Sequence, residues 1–414
     1  MEVRLRSLVA IFLSVLFVSL SAARVSGAGP TSKSDTSDLE VKPAQLSFKD
    51  IAGLSKFVYR SNNDYRGRKY FPQPMCGGIA VLDFDRDGRL DLFFTNGARL
   101  PELKKVDSSF HNCLLRNAGQ GKFEDVTEKA GLSGVDLDFG FGVAAADYDN
   151  DGFTDLFVCN AGRNALYRNQ GDGRFVDLTA GSGLDRKPAD LLSVCAAWLD
   201  YDADGLLDLI VSQYTFWNPK TDVRYVRDGK DDSYCHPRTY RAVPHNLYHN
   251  LGNGKFEDVT EASGFSKALG KGMGISIADF NRDGRMDIFV ANDTERNFFY
   301  LNKGAGKFEE EGLLFGVAYN DQGITVSGMG CDSADYNNDG WVDIFYNNLQ
   351  TQIFALFKNQ EGGFFEYVSP VSGVERLSRR FSGWSNGFID YNNDGWKDIY
   401  SSNGDVDYFP PNAE

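Results

Sequence analysis

Six times the chain writes nearly the same nine residues: DFDRDGRLD from Asp83, DYDNDGFTD from Asp147, DYDADGLLD from Asp200, DFNRDGRMD from Asp279, DYNNDGWVD from Asp335 and DYNNDGWKD from Asp390. A carboxylate or amide oxygen falls at positions 1, 3, 5 and 9, and position 6 is always glycine. Hard cations such as Ca²⁺ take about 6 to 8 oxygen ligands, and acidic side chains on alternate residues of a tight loop can converge on one ion. The glycine supplies the positive φ that folds such a loop back on itself. The expected ligand sets are Asp83, Asp85, Asp87, Arg89 and Asp91; Asp147, Asp149, Asp151, Phe153 and Asp155; Asp200, Asp202, Asp204, Leu206 and Asp208. The remaining three are Asp279, Asn281, Asp283, Arg285 and Asp287; Asp335, Asn337, Asp339, Trp341 and Asp343; Asp390, Asn392, Asp394, Lys397 and Asp398. In each set the fourth residue would act through its backbone carbonyl, which leaves its side chain free to vary.

These are not EF-hand loops. An EF-hand needs Glu at position 12 between two helices, whereas position 12 here is Phe94, Val158, Val211, Val290, Tyr346 or Ser401. The flanks read as strands: GGIAVLDF and GVAAADY lead in, while DLFFTN, DLFVCN and DIFVAN lead out. They are short apolar runs bounded by Gly and Asn. An acidic turn that binds nothing is the plain alternative, but an Asp-Gly turn needs only one Asp.

A second repeat follows most loops: LLRNAGQGKFEDVT from Leu114, LYRNQGDGRFVDLT from Leu166, LYHNLGNGKFEDVT from Leu247, FYLNKGAGKFEEE from Phe299 and LFKNQEGGFFEYV from Leu356. Each is an apolar strand, a Gly-rich turn and another strand, which is a β-hairpin pattern. One unit is then four strands, recurring every 53 to 79 residues. Such a period predicts an all-β propeller of four-stranded antiparallel blades, six of them detectable.

The segment FGFGVAAADYDNDGFTDLFV (residues 139–158) resembles the FG-GAP, or VCBS, repeat of integrin α-subunit propellers and their bacterial relatives. Its pairing with LYRNxGxGxFxDLT resembles the cartilage acidic protein / ASPIC-UnbV group more closely. So do Tyr234-Cys235-His236-Pro237, Tyr240 and Pro244-His245-Asn246-Leu247. The resemblance spans about residues 46 to 409 and implies a calcium-stabilised, extracytoplasmic propeller. It implies no particular reaction, because propellers host many functions.

Composition agrees with a large packed body: 414 residues, 42% hydrophobic, 14% aromatic, with 44 Gly for tight turns. The net charge of −15 is accounted for by the loops, whose Asp residues alone carry −21. No basic run is present and phosphate would repel such a chain, so a nucleic-acid partner is not expected.

Residues 1–28 read as a signal peptide. Arg4 and Arg6 precede the apolar stretch from Leu8 to Leu20, followed by small residues at Ser21-Ala22-Ala23 and Ser26-Gly27-Ala28. That stretch is short for a membrane span, so no span is expected after cleavage, and the mature chain should be secreted or periplasmic. Residues 29–45 read as a flexible leader and 46–414 as the propeller. In an exported chain the six cysteines permit disulfides. Cys76 with Cys113, in one blade, is the pair expected first, while Cys159 and Cys195 occupy strand positions suited to buried thiols.

Between the third loop and its hairpin lies an insertion, Gln213 to Asn246, rich in Tyr, Arg and Asp. His236, His245 and His249 fall in or beside it, which offers a foothold for transition-metal or acid–base chemistry. A structured loop at the propeller rim is the plainer reading, with His249 facing solvent. Gly270, Gly272 and Gly274 match glycines that enter other loops and form no nucleotide motif. The expectation is therefore a binding or adhesion module for an extracellular protein or glycan, with no catalytic residues. The alternative is a propeller lyase or hydrolase acting on an extracellular polysaccharide. The sixth unit lacks a hairpin, and Leu46-Ser47-Phe48-Lys49-Asp50-Ile51 resembles an orphan outer strand. It is expected to dock beside residues 390–400, with a truncated seven-bladed ring, missing a C-terminal ASPIC/UnbV domain, as the alternative.

Overall fold

The computed structural model describes residues 48–186, 188–227 and 230–406; the expected signal peptide and leader lie outside the described residues. Five blades are complete antiparallel four-stranded sheets with strands in chain order from the axis outward. The first is built from Ile79–Leu82, Asp91–Phe94, Cys113–Gly119 and Lys122–Asp125. The second uses Phe139–Ala146, Asp155–Ala161, Ala165–Asn169 and Phe175–Asp177; the third, Leu191–Leu199, Asp208–Phe216, Asn246–Gly252 and Lys255–Asp258. The fourth uses Gly272–Ala278, Asp287–Asn292, Phe298–Gly304 and Lys307–Glu310, and the fifth Cys331–Ala334, Asp343–Tyr346, Ala355–Gln360 and Phe364–Tyr367. The sixth has two strands, Gly383–Ile389 and Asp398–Asn403.

The sequence explains this repetition locally. At the end of four of the five hairpins the DVT or equivalent turn places a hydroxyl that accepts an N–H at the start of the third strand, and in the fourth blade the Glu310 carboxylate accepts from Phe299 N instead (3.2 Å). Thr127 serves Leu114 (2.8 Å), Thr179 serves Leu166 (2.8 Å), Thr260 serves Leu247 (3.1 Å) and Ser369 serves Leu356 (2.7 Å). Between blades, apolar side chains interdigitate. Phe84, Phe93 and Leu114 of the first blade pack with Leu156, Val158 and Phe175 of the second, all buried. Each such side chain contributes roughly 1.5–3 kcal/mol on burial.

Glycine sets the spacing at the axis. A Cβ on Gly78 would lie 2.6 Å from the Phe141 carbonyl of the next blade, one on Gly142 2.5 Å from that of Val194, one on Gly274 2.5 Å from that of Met329, and one on Gly330 2.6 Å from that of Trp384. Inner strands approach one another backbone to backbone at these points, and any side chain would wedge the blades apart.

Successive inner strands pack from the first blade to the sixth, but among the described residues the sixth and first do not pack in this way. The ring stands open at that seam. Ile79 and Val81 of the first inner strand are 49% and 55% exposed, and Ile389 of the sixth is 43% exposed. Of the segment expected to dock at the sixth blade, Leu46 and Ser47 lie outside the described residues, and the described remainder does not dock there. Phe48–Ile51 is not a strand; Ile51 and Leu54 lie against Gly121 of the first blade, and Ser55 Oγ accepts from Phe123 N at 2.8 Å. The reason lies in Ala52-Gly53-Leu54. Its counterparts elsewhere also seat on the following blade, as where Gly131 meets the Phe175 carbonyl and Gly264 that of Phe308.

Candidate functional site

All six acidic loops adopt one conformation. The position-1 Asp accepts from the N–H of position 5 through one oxygen and from the glycine N–H through the other, as in Asp147 with Asp151 (3.0 Å) and Gly152 (2.7 Å). The position-5 Asp then accepts from the N–H of position 7. The six glycines have φ between 82° and 90°, and position 4 is also left-handed, at Arg86, Asn150, Ala203, Arg282, Asn338 and Asn393. This pattern corrects the sixth set. The N–H that bonds Asp394 belongs to Trp396, so the position-7 residue is Trp396 and not Lys397.

Carboxylate oxygens converge within 4.8 Å in Asp83–Asp85–Asp91, in Asp147–Asp149–Asp151 and in Asp200–Asp202–Asp204. In the last three loops position 3 is Asn281, Asn337 or Asn392, whose Oδ1 accepts from the position-5 N–H. Asp85 Oδ1 and Asp149 Oδ1 are buried and accept no hydrogen bond. Anionic oxygens so placed fit a hard cation, since an unpaired buried carboxylate oxygen is costly.

The position-9 Asp is the buried member. Asp155, Asp208, Asp287 and Asp343 are fully buried. Burial, with the neighbouring loop carboxylates adding to it, pushes Asp155, Asp287 and Asp343 up to about 7 and Asp208 to about 6. One oxygen accepts from the position-2 N–H, and the other from the N–H of the hairpin asparagine, as in Asp208 with Asn250 at 2.7 Å.

That asparagine is what sequence reasoning missed. Asn250 Nδ2 donates to Leu207 O (2.9 Å) beside its own loop and to Tyr148 O (3.0 Å) in the loop of the preceding blade. Asn169, Asn302 and Asn359 do the same toward Phe84, Tyr201 and Phe280. Each joint ties a loop to the blade before it. The signal was the Asn held at one place in LLRN, LYRN, LYHN, YLN and LFKN.

Position 7 is also less free than its variability implied. The Arg86 guanidinium lies 5.2 Å from the Phe153 ring and that of Arg282 lies 4.3 Å from Trp341, each pair bridging two blades. Arg89 and Arg285 donate to the carbonyls of Asn117 (2.7 Å) and Asn302 (2.9 Å).

The three histidines do not converge. His249 does not face solvent freely: its Nδ1 lies 3.1 Å from Asp208 and 3.5 Å from Asp202, within the third loop. Its slot is used alike elsewhere, by Arg168 on Asp149 and Lys358 on Asp339. His245 is buried, Gln213 N donates to its Nδ1 (3.2 Å), and burial lowers its pKa to about 4, so it is neutral. His236 alone sits at a cavity, capping the short turn Pro237–Thr239 by accepting from Arg238 N.

That cavity, of ≈ 330 Å³, lies where the inner strands begin, at the end of the propeller opposite the acidic loops. The insertion does not stay at the rim. Its first residues extend the second strand of the third blade to Phe216, and the hairpin Tyr225–Arg227 and Lys230–Ser233 follows. Tyr214, Tyr225, Tyr234 and His236 then line the cavity. Asp222 fixes the insertion against the N-terminal segment, accepting from Trp217 Nε1 (2.9 Å) and Phe71 N (3.1 Å) and pairing with Arg68 (3.1 Å). Met273, Met329 and Trp384 complete the wall from the fourth, fifth and sixth blades and Met75 from the N-terminal segment, with Asp293 also lining it. A larger groove, of ≈ 950 Å³, follows the first blade alone, along residues 58–62.

Cys76 and Cys113 are thiols and not a disulfide. Burial raises them to about 11 and about 12.

A family model described as FG-GAP-like repeat matches residues 83–158, 147–211, 225–290, 279–346 and 335–401. Cartilage acidic protein 1 of Mus musculus is 25% identical over 341 residues, covering 79% of this chain and 48% of that protein. The Homo sapiens protein is 25% identical over 343 residues, covering 79% and 47%. The chain thus spans about half the length of the curated relatives it matches. Among solved structures, an Agrocybe aegerita lectin that recognises non-reducing terminal N-acetylglucosamine overlaps with a TM-score of 0.41 at 19% identity, over 74% of this chain and 69% of that one. The V. cholerae biofilm matrix protein Bap1 overlaps with a TM-score of 0.40 at 13% identity, over 80% and 43%.

Proposed function

The chain belongs to the FG-GAP-like repeat family, and from that premise we propose that it is an exported, calcium-stabilised binding module. It recognises an extracellular protein or glycan through the face that carries the third-blade insertion. The observation that carries this reading is the cavity, walled by four blades, the N-terminal segment and the insertion at the end away from the acidic loops. Ligand sites favour such concave, mostly apolar places with few polar groups. Calcium in the six loops is structural in this reading. Residues at positions 1, 3, 5 and 9 would hold it, and the ion would offset the repulsion among their carboxylates. Among the described residues no helix is long and apolar enough to cross a membrane.

Screening the purified protein against glycan and extracellular-protein arrays, with calcium and with chelator, tests this reading. A retained ligand that is lost under chelation is expected; no retained ligand in either condition would count against it. One observation favours the enzymatic alternative: Tyr214, Asp293 and His236 meet at a cleft, as acid–base chemistry on a polymer requires. Release of reducing or unsaturated ends from polysaccharides would establish it.

A further inference from the structure

We propose that the axial cavity binds a small organic amine, with Asp293 and Thr294 taking the ammonium head and the aromatic wall taking its apolar body. This rests on the reading of the face that carries the insertion as the ligand-binding face and names the chemistry of its seat.

Two adjacent residues carry the inference. Thr294 has φ of 62°, a left-handed conformation that is strongly disfavoured for a β-branched side chain. Its Oγ1 is buried, lines the cavity and has no hydrogen-bond partner. The second blade shows what the fold alone requires there. Asn160 and Asn292 are equivalent, each donating its N–H to the side-chain Oδ1 of an asparagine just before the next strand (Asn164 at 3.1 Å, Asn297 at 2.9 Å). After Asn160 come Ala161 and Gly162, the glycine at φ of 110°. After Asn292 come Asp293 and Thr294. A glycine would adopt the turn without strain, yet this blade places a carboxyl and a hydroxyl in it. Strain of this kind persists only where surrounding structure enforces it, and it clusters at ligand clamps. Here Asp293 N donates to Lys271 O (2.8 Å) and Thr294 N to Val326 O (2.9 Å), which locks the turn.

Asp293 is 5% exposed. Tyr214 Oη donates to one of its oxygens at 2.5 Å, and Ser327 supplies a further hydroxyl. Among the described residues no ion pair in direct contact reaches it; Lys271, which pairs with Glu295 at 2.5 Å, and His236 act on it only through space. Burial disfavours its ionised form, and a cation seated against it restores the balance. Around this head, Phe71, Tyr214, Tyr234 and Trp384 present ring surface and Met75, Met273 and Met329 polarisable thioethers. Aromatic faces attract cations and stack on flat apolar bodies.

The test uses the purified chain in calcium and three probes of like shape: 2-phenylethylamine, 2-phenylethanol and 3-phenylpropanoate, followed by ligand-observed NMR and calorimetry. The amine should bind saturably and more tightly than either isostere. Asp293→Asn should weaken it by at least about tenfold, as loss of a charge-assisted contact does. Thr294→Gly, which removes the hydroxyl and relieves the turn, should weaken the amine without lowering the melting temperature, and it serves if Asp293→Asn does not fold. Alcohol and amine binding equally would overturn the amine assignment while leaving the cavity a ligand site. Amine binding that both variants leave unchanged, or no binding by any probe, would overturn the inference. The array screen for a protein or glycan partner succeeds or fails independently.

Discussion

Replacing Asn250 by alanine tests the joint between blades most directly. The wild-type side chain is 1% exposed and makes three hydrogen bonds: Nδ2 to Tyr148 O (3.0 Å), Nδ2 to Leu207 O (2.9 Å), and Oδ1 from Gly252 N (2.9 Å). Alanine leaves two carbonyls and one N–H without partners. Each buried group so orphaned costs about 1–3 kcal/mol, and partial entry of water from the loop places the total near 3 kcal/mol. Asn117 is the internal control. It occupies the same hairpin position in the first blade, where the seam provides no preceding loop. It donates only to Leu90 O (3.0 Å), accepts from Gly119 N (3.0 Å) and is half-buried. Asn117→Ala should therefore cost about 1 kcal/mol. In thermal melts at fixed calcium, shifts of about 4 °C and about 1 °C follow for a chain of this size. Equal shifts would refute the joint, because the two sites differ chiefly in the contact to the neighbouring blade.

Calcium should raise the melting temperature and chelator lower it, by an amount that grows with pH. Without metal, Asp155, Asp208, Asp287 and Asp343 have folded pKa values raised to about 6–7 against about 3.9 unfolded. Their protonated forms therefore favour the folded state at low pH, and that contribution fades as pH rises from about 4 to 7. Melting curves with and without chelator from pH 5 to 8 check this; a constant gap would argue against the loops as the metal sites. Asp147→Ala should abolish the calcium response of its loop, whereas Phe153→Ala should spare it and cost about 1 kcal/mol through lost contact with Arg86; isothermal titration with chemical unfolding separates the two. Cys76 and Cys113 should resist alkylation at pH 8 in the folded protein and react as thiols once it is unfolded, as mass spectrometry of intact protein would show; an unreactive pair after unfolding without reductant would restore the disulfide.

Local chemistry was legible from the sequence because it repeats. The six loops, their strand flanks, the Gly at position 6 and the hairpins all follow from short-range rules, since each needs only neighbouring residues to form. The same repetition let the family resemblance and the propeller be read before any coordinates. What needed tertiary structure is whatever joins one unit to another. Asn250 looks like a turn residue until Tyr148, 102 positions away, is placed beside it. The side chain of Phe153 looks dispensable until Arg86 lies over it. His249 belongs to the third loop only once the hairpin has folded back on Asp208. The insertion's course over the axis, and the meeting of Tyr214 with Asp293, depend on how the blades turn about that axis, which no local pattern encodes. The open seam is likewise a property of the ring: Ile79 and Val81 read as residues of an apolar strand, and they are exposed because, among the described residues, the sixth and first inner strands do not pack as the other inner strands do.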